Sequence, residues 1–191
     1  MQQLIDIDVQ LFLFLNGIHS PFFDVVFGYI TSKTFWYPFY LLLFIVGATK
    51  LKWKIIYILI AVIILIVLSD QASVQLFKEV FKRLRPCHNP QLAGLVHLVD
   101  GCGGKYGFVS SHAANTFALA SFMGLVLKKH IPFIFIGLLC WAIVVSYSRV
   151  YVGVHYVSDI FVGALLGMLI GWFVFFGLKK LNQKFKLQIN I

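Results

Sequence analysis

Long apolar runs, separated by short polar or basic segments, dominate the pattern of hydrophobic and polar positions along the chain. The clearest run begins near residue 54 with IIYILIAVIILIVLS, and others occupy about 34–49, 110–127, 131–146 and 155–178. A helix needs about 20 predominantly apolar residues to cross the hydrocarbon core of a bilayer. The pattern therefore predicts an all-α, polytopic membrane bundle of about five transmembrane helices.

The second of these helices is predicted to be the longest, from about residue 54 to residue 84. Its first half is uniformly apolar, whereas its second half, DQASVQLFKEVFKRLRP, carries polar residues on a helical period. That half is expected to face the bundle interior or the water boundary. Pro86 is expected to end the helix, because proline cannot continue the backbone hydrogen-bond ladder.

The N-terminal segment has a broken version of the same pattern. Polar residues interrupt it and leave two short apolar helices, about 7–16 and 21–31. Neither is long enough to span the bilayer, so we predict an interfacial helical hairpin, with a tightly packed re-entrant pair as the alternative. The chain is thus divided into N-terminal interfacial helices, 1–33, and a transmembrane domain with a short C-terminal tail, 34–191.

The composition supports a membrane protein, and the distribution of charged residues predicts its orientation in the membrane. The chain is 60% hydrophobic and 12% charged, with a net charge of +9. Its basic residues punctuate the apolar runs instead of forming a soluble basic face interleaved with aromatic residues, which argues against a nucleic-acid partner. One side of the predicted bundle holds nine lysines and no acidic residue: Lys50, Lys52, Lys54, Lys128, Lys129, Lys179, Lys180, Lys184 and Lys186. The positive-inside rule places that side, with the C-terminus, in the cytoplasm.

Three polar segments lie on the opposite, outward side, and the last of them, SRVYVGVHYVSD, carries the clearest chemistry. His155 and Asp159 are four residues apart, so on a helix they share a face and can form a hydrogen bond. A carboxylate behind a histidine fixes its tautomer and makes the other ring nitrogen a better base or nucleophile. Arg149 offers a planar fork suited to phosphate. Alternatively, these polar pairs simply end two membrane helices.

The segment KEVFKRLRP offers a second set of cationic groups. Lys78 and Arg85 are seven residues apart, or two helical turns, so both are expected to project from one helix face and to grip one anion. Lys82 and Arg83 are secondary candidates. The alternative is a basic helix end that is attracted to anionic lipid head groups.

The segment FVSSHAAN supplies Ser110, Ser111 and His112 at the predicted start of a helix. Free backbone N–H groups, hydroxyls and an imidazole suit an anion, although an N-cap serine beside a histidine would look the same. Together, the three segments contain what phosphoryl transfer through a phosphohistidine requires, namely cations, one nucleophile and one acid. The sequence has no second carboxylate cluster for Mg²⁺, so we expect a reaction that needs no metal or other cofactor.

The order and spacing of these motifs resemble the type 2 phosphatidic acid phosphatase family over residues 34–178. The matching residues are K-x6-RP (Lys78, Arg85, Pro86), SSH (Ser110, Ser111, His112) and SR-x5-H-x3-D (Ser148, Arg149, His155, Asp159). The resemblance implies that His155 attacks phosphorus while Asp159 orients it and stabilises its charge. It also implies that His112 protonates the leaving oxygen and then activates water. The implied phosphate cradle is Lys78, Arg85, Arg149, Ser110 and Ser111.

One departure from the family concerns its second motif, which usually reads Pro-Ser-Gly-His. Here Val109 and Ser111 stand in place of the proline and the glycine. Glycine would let the backbone approach phosphate closely, whereas Ser111 either adds a hydroxyl donor or reshapes the pocket and narrows the substrate range.

The resemblance further implies a bacterial cytoplasmic (inner) membrane enzyme whose site faces outward and whose partners are the bilayer and a lipid phosphate. Undecaprenyl diphosphate, phosphatidylglycerophosphate and lipid A 1-phosphate are the expected substrates. Transfer of the phosphoryl group to another lipid, or a non-catalytic role in binding lipid phosphates, are the alternatives. An oxidising exterior would allow a disulfide between Cys87 and Cys102 beside the site.

Overall fold

The fold is a bundle of helices, seen in a computed structural model that describes residues 2–191; Met1 lies outside the described residues. These residues contain no β-strand beyond one isolated antiparallel bridge between Leu84 and Tyr106. The α-helices of more than one turn are α1 (Gln2–Asn16), α2 (Pro21–Thr31), α3 (Tyr37–Leu51), α4 (Ile55–Gln71), α5 (Ser111–Leu127), α6 (Ile134–Tyr151) and α7 (Val157–Phe185).

Three helical stretches of the described chain are long and apolar enough to cross a membrane: Thr34–Phe81, Ile134–Tyr151 and Val157–Phe185. The first contains both α3 and α4, which are separated where Lys52 adopts a φ of 54°. The shorter apolar helix α5 has 17 residues. The prediction of an all-α membrane bundle is confirmed. The five predicted spans coincide in sequence with α3 to α7, but by length and composition the described chain has three candidate spans, or four if the bent pair α1 and α2 is one span.

The predicted continuous helix over 54–84 is wrong in its second half. After Gln71 the α-helix becomes a π-helical stretch, Ala72–Lys78, and the last turn ends at Phe81 because Lys82 adopts a left-handed conformation with φ 45°. The next residues pair with a later loop: the Arg85 N–H donates to the Lys105 carbonyl at 3.1 Å. Arg85 therefore does not share a helix face with Lys78.

The ends of two other helices also differ from the predicted ends. Helix α6 begins at 134 and continues to Tyr151 instead of ending near 146, because Val150 and Tyr151 are buried and extend the packed face. Helix α7 begins at Val157 instead of near His155, because Tyr156 is its N-cap, and it extends to Phe185.

The central helix of the bundle is α5, most of whose residues are buried. Three glycines of α7, spaced four residues apart, face it: Gly163, Gly167 and Gly171. A Cβ added at Gly167 would lie against the Ala114 carbonyl and 2.9 Å from the Ala118 backbone nitrogen. Small residues of this kind allow two helix backbones to pack closely in a membrane. The close approach brings the N-termini of α5 and α7 together.

The N-terminal helices form a pair bent by 115° that packs on the end of α6. Helix α2 has the predicted bounds, whereas α1 begins earlier, at Gln2. The Asn16 amide donates to the Val150 and Tyr151 carbonyls at 3.2 and 2.8 Å, and the Tyr151 hydroxyl donates to Asp24 at 2.8 Å. The hairpin therefore covers the turn that connects α6 to α7.

Candidate active site

A turn between α6 and α7 positions His155. The N–H groups of Val154 and His155 both donate to the Arg149 carbonyl, at 3.1 and 3.2 Å. His155 is almost completely buried, and its Nδ1 lies 3.3 Å from Oδ2 of Asp159. A proton on Nδ1 makes this contact a hydrogen bond and leaves the lone pair of Nε2 free to react. The predicted His-Asp pair is present, with Asp159 in the first turn of α7.

The electrostatic environment keeps His155 neutral. Burial lowers its pKa well below the ordinary value of 6.5, and the positive charges of Arg85, Arg149 and Lys78 lower it further. A neutral imidazole has the unprotonated nitrogen that nucleophilic attack requires. The same three cations belong to the phosphate cradle that the family resemblance implies.

Ser111 joins two elements of the site. The Lys78 ammonium donates to Ser111 Oγ at 2.6 Å, and Ser73 Oγ lies 2.7 Å from the same oxygen. Ser73 is in the π-helical stretch and was not a sequence candidate. The side chain at the position of the family's glycine thus holds the lysine that faces the site.

Ser110 and His112 flank Ser111. The Ser110 N–H donates to the backbone carbonyl of Asp159 at 3.0 Å, and its hydroxyl accepts from the Ala113 N–H at 3.4 Å, so its side chain acts as the N-cap of α5. His112 is the second residue of α5, and Arg149 and His155 are near enough to act on it electrostatically.

The two arginines of the motifs have unused donors. Among the described residues, Nε of Arg85 and Nε of Arg149 are buried without a hydrogen-bond partner. Arg149 also donates through Nη1 to the hydroxyl of Thr31 in α2. Burial lowers the pKa of Arg85, and the nearby Asp159 carboxylate opposes this shift. Buried, unpaired guanidinium donors are costly unless an anion occupies the site.

A third arginine, which was only a secondary candidate, binds Asp159 directly. Arg83 donates through Nη1 to Asp159 Oδ1 at 3.0 Å and through Nη2 to Asp8 at 2.6 Å. The signal for Arg83 was its place in a basic segment, but nothing in the sequence pointed to Asp8.

Gly107 was also missed. A Cβ at this position would lie 3.1 Å from both Asp159 Oδ2 and Arg85 Cγ, and 3.5 Å from His155 Nδ1. A side chain at this position would push the Asp159 and Arg85 side chains apart by a few tenths of an ångström, so glycine lets these three side chains meet without displacement.

The site opens into a cavity of about 480 Å³. Ser111 and His112 line its polar part, together with Lys33, Asp70 and Asn115. Most of the remaining wall consists of apolar side chains from α3 to α6, such as Ile58 and Met123. A cavity of this kind accommodates an apolar ligand with one polar end.

The loop beside the site contains a disulfide between Cys87 and Cys102, whose Cα atoms are 5.9 Å apart. It connects the segment after Arg85 to the segment before Gly107.

One group of three potential metal ligands exists among the described residues, and it contains none of the motif residues. The ligand atoms of His19, Asp24 and His97 lie within 4.8 Å of one another. His97 already contacts Asp24 at 2.8 Å and stacks on the ring of His19.

Comparison with known proteins agrees with the motifs. Residues 52–183 match the model of the PAP2 superfamily. A "Lipid A 4'-phosphatase" of Bacteroides thetaiotaomicron is 40% identical over 95% of this chain and 81% of its own. A protein of the same name from Porphyromonas gingivalis is 36% identical over 92% of this chain and 74% of its own.

Two solved structures are similar in fold. The PAP2-type phosphatidylglycerolphosphate phosphatase of Bacillus subtilis has a TM-score of 0.70 and 25% identity, covering 96% of this chain and 88% of its own. Aquifex aeolicus LpxE has a TM-score of 0.63 and 26% identity, covering 87% and 93%. The chain therefore belongs to the PAP2 superfamily and is a multi-pass membrane lipid phosphatase, a hydrolase of phosphoric ester bonds.

Proposed function

We propose that this enzyme removes the 4'-phosphate of a lipid A-type glycolipid through a phosphohistidine intermediate. The observation that carries the mechanism is the buried His155–Asp159 pair, at 3.3 Å, in the field of three cationic side chains. The 4' position is suggested by the two relatives at 40% and 36% identity. It was not among the substrates expected from the resemblance, which were undecaprenyl diphosphate, phosphatidylglycerophosphate and lipid A 1-phosphate.

In the first step, Nε2 of His155 attacks phosphorus and the bond from phosphorus to the sugar oxygen breaks. His112 protonates the departing oxygen, and Asp159 stabilises the positive charge that forms on the imidazole ring. Lys78, Arg85 and Arg149 bind the phosphoryl oxygens and stabilise the charge of the transition state.

In the second step, His112 takes a proton from water, and the resulting hydroxide attacks phosphorus. The bond from phosphorus to His155 breaks, and inorganic phosphate leaves. Apart from the attacking water, every step uses side chains of this protein, so we expect the reaction to need no metal.

The apolar cavity supports a lipid substrate, because its polar part holds His112 and its wall suits an acyl chain. We place the protein in the bacterial inner membrane with the site facing outward and the C-terminus in the cytoplasm. The nine lysines on one side support this orientation through the positive-inside rule.

The test is phosphate release by the purified protein in detergent from a panel of lipids. The panel holds lipid A phosphorylated only at the 4' position, lipid A phosphorylated only at the 1 position, undecaprenyl diphosphate and phosphatidylglycerophosphate. We expect the fastest release from the 4'-phosphate, no release by His155→Ala, and no effect of EDTA. His130→Ala is the matched control, because the one hydrogen bond that the His130 side chain makes with the described residues is to the Asn190 carbonyl in the C-terminal tail, at 2.9 Å.

Faster release from another lipid would overturn the substrate assignment, and loss of activity in EDTA with recovery in Mg²⁺ would overturn the metal-free mechanism. Recovery of the phosphate on a second lipid instead of in water would identify a phosphotransferase.

A further inference from the structure

We propose that Asp8 of the N-terminal helix is a positioning residue for the phosphoryl transfer, acting through Arg83 on the carboxylate of Asp159. The inference rests on the proposed function, because it assigns Asp8 a part in the reactivity of His155. Neither Asp8 nor Arg83 belongs to the three sequence motifs.

Arg83 is shared between two carboxylates. Its Nη1 donates to Asp159 Oδ1 at 3.0 Å, and its Nη2 donates to Asp8 Oδ2 at 2.6 Å. Its guanidinium also lies 3.9 Å from the centre of the Tyr156 ring. The arginine is held on both sides and above its plane, so its direction toward Asp159 is fixed.

Asp8 also fixes the start of α7. Its Oδ1 accepts from the Ser158 N–H at 2.9 Å, and its Oδ2 accepts from the Ser158 hydroxyl at 2.5 Å. Ser158 immediately precedes Asp159, and Arg83 donates to its hydroxyl at 2.7 Å. Asp8 therefore holds both the cation that binds Asp159 and the backbone that carries it.

The charges make this arrangement more than a structural contact. Asp159 has two oxygens with separate tasks: Oδ2 faces His155 Nδ1 at 3.3 Å, and Oδ1 faces Arg83. The negative charge of Asp8 partly neutralises Arg83. Arg83 therefore draws less negative charge away from the Asp159 carboxylate than an arginine without a second carboxylate partner would. Without the Asp8 charge, Asp159 would stabilise the imidazolium of the transition state less well.

The N-terminal hairpin thereby becomes part of the enzyme and not only a membrane attachment. Asp8 and Arg83 are 75 residues apart in sequence, and they meet because α1 packs on the start of α7.

The test compares Asp8→Asn, which keeps the shape and removes the charge, with Asp6→Asn on the same helix. Asp6 is the matched control because it is exposed and, within residues 2–191, its side chain accepts a hydrogen bond from Gln2 alone, at 2.9 Å. For Asp8→Asn we expect a fall in kcat of about tenfold or more with little change in KM, by analogy with the loss of about 10–100-fold when the outer-shell partners that orient metal-ligating histidines are removed. Asp8→Glu should recover part of the loss, and Asp6→Asn should behave as wild type.

A double-mutant cycle separates positioning from support of the fold. In the Asp159→Asn background, Asp8→Asn should lower kcat little further, because its effect passes through Asp159. An unchanged kcat in Asp8→Asn would overturn the proposal. So would an equal loss in both backgrounds, which would make Asp8 a structural residue alone.

A second readout needs no substrate. The hydrogen-bonded Nδ1 proton of His155, assigned in histidine-labelled protein by its absence in His155→Ala, should shift in Asp8→Asn and not in Asp6→Asn. If no lipid released phosphate but this resonance shifted, the proposed function would fail while the link from Asp8 to His155 held. An unshifted resonance would overturn the link itself.

Discussion

Replacing Asp159 by asparagine removes one charge from the site at constant shape. The carboxylate is completely buried and faces three donors: the Tyr156 N–H at 3.0 Å, Arg83 Nη1 at 3.0 Å and His155 Nδ1 at 3.3 Å. Asparagine has only one side-chain oxygen, so its NH₂ group must oppose at least one of them.

The structure allows the size of this effect to be worked out. Removing one partner of a buried, hydrogen-bonded charge pair costs about 3–5 kcal/mol. If about 3–4 kcal/mol of this cost is added to the free-energy barrier of the reaction, kcat falls between about 10²- and 10³-fold. Each 1.36 kcal/mol of barrier changes the rate by a factor of about ten. KM should change little, because Lys78, Arg85 and Arg149 still bind the phosphate.

The assay is a rapid-quench measurement of phosphate release, together with the amount of labelled phosphoenzyme trapped at alkaline pH. We expect Asp159→Asn to form phosphoenzyme slowly and to keep its affinity for substrate. Thermal unfolding of the same sample shows whether the variant is folded. A folded Asp159→Asn with kcat within about threefold of wild type would refute the role of Asp159 as the group that activates His155.

Two other expectations concern stability. Because folding lowers the pKa of His155, the unfolded chain binds a proton as the pH falls below 6.5 that the folded chain does not bind. The free energy of unfolding should therefore fall more steeply between pH 7 and pH 5 in wild type than in His155→Gln, and parallel curves would contradict this. Gly167→Val places a side chain against the Ala114 carbonyl and should destabilise the bundle by about 3 kcal/mol or more. Gly177→Val, where a Cβ meets nothing within 4 Å, is its control in thermal unfolding.

The sequence predicted the fold class and the family because both depend on strong, local signals. Apolar runs define membrane helices without any tertiary information, and the motif residues are recognisable at fixed spacing. The pair His155 and Asp159 was predicted from a spacing of four residues, although His155 lies before the helix and the contact results from the geometry of the first turn.

The parts that sequence reasoning missed depend on contacts between distant segments. Helix α4 was extended too far, since the pairing of Arg83 and Arg85 with residues 105–107 competes with the helix and has no local signature. Asp8 had no signal at all, because its partner lies 75 residues away. The π-helical stretch that carries Ser73 likewise looks like ordinary helix in the sequence.

The close packing of α5 against α7 affects which parts of the enzyme can tolerate substitutions. These two helices carry His112 and Asp159 at adjoining ends, and the Ser110 N–H ties them together through the Asp159 carbonyl at 3.0 Å. Because a side chain at Gly163, Gly167 or Gly171 would collide with the backbone of α5, the separation of His112 and Asp159 is set by backbone contact between the two helices. In the wall formed by α3 and α4, the one glycine with a tight contact, Gly47, meets only the end of a flexible side chain, Cδ1 of Ile55 at 2.9 Å. If the cavity holds lipid chains as proposed, we expect substitutions in this wall to alter which lipids are accepted while the chemistry stays unchanged.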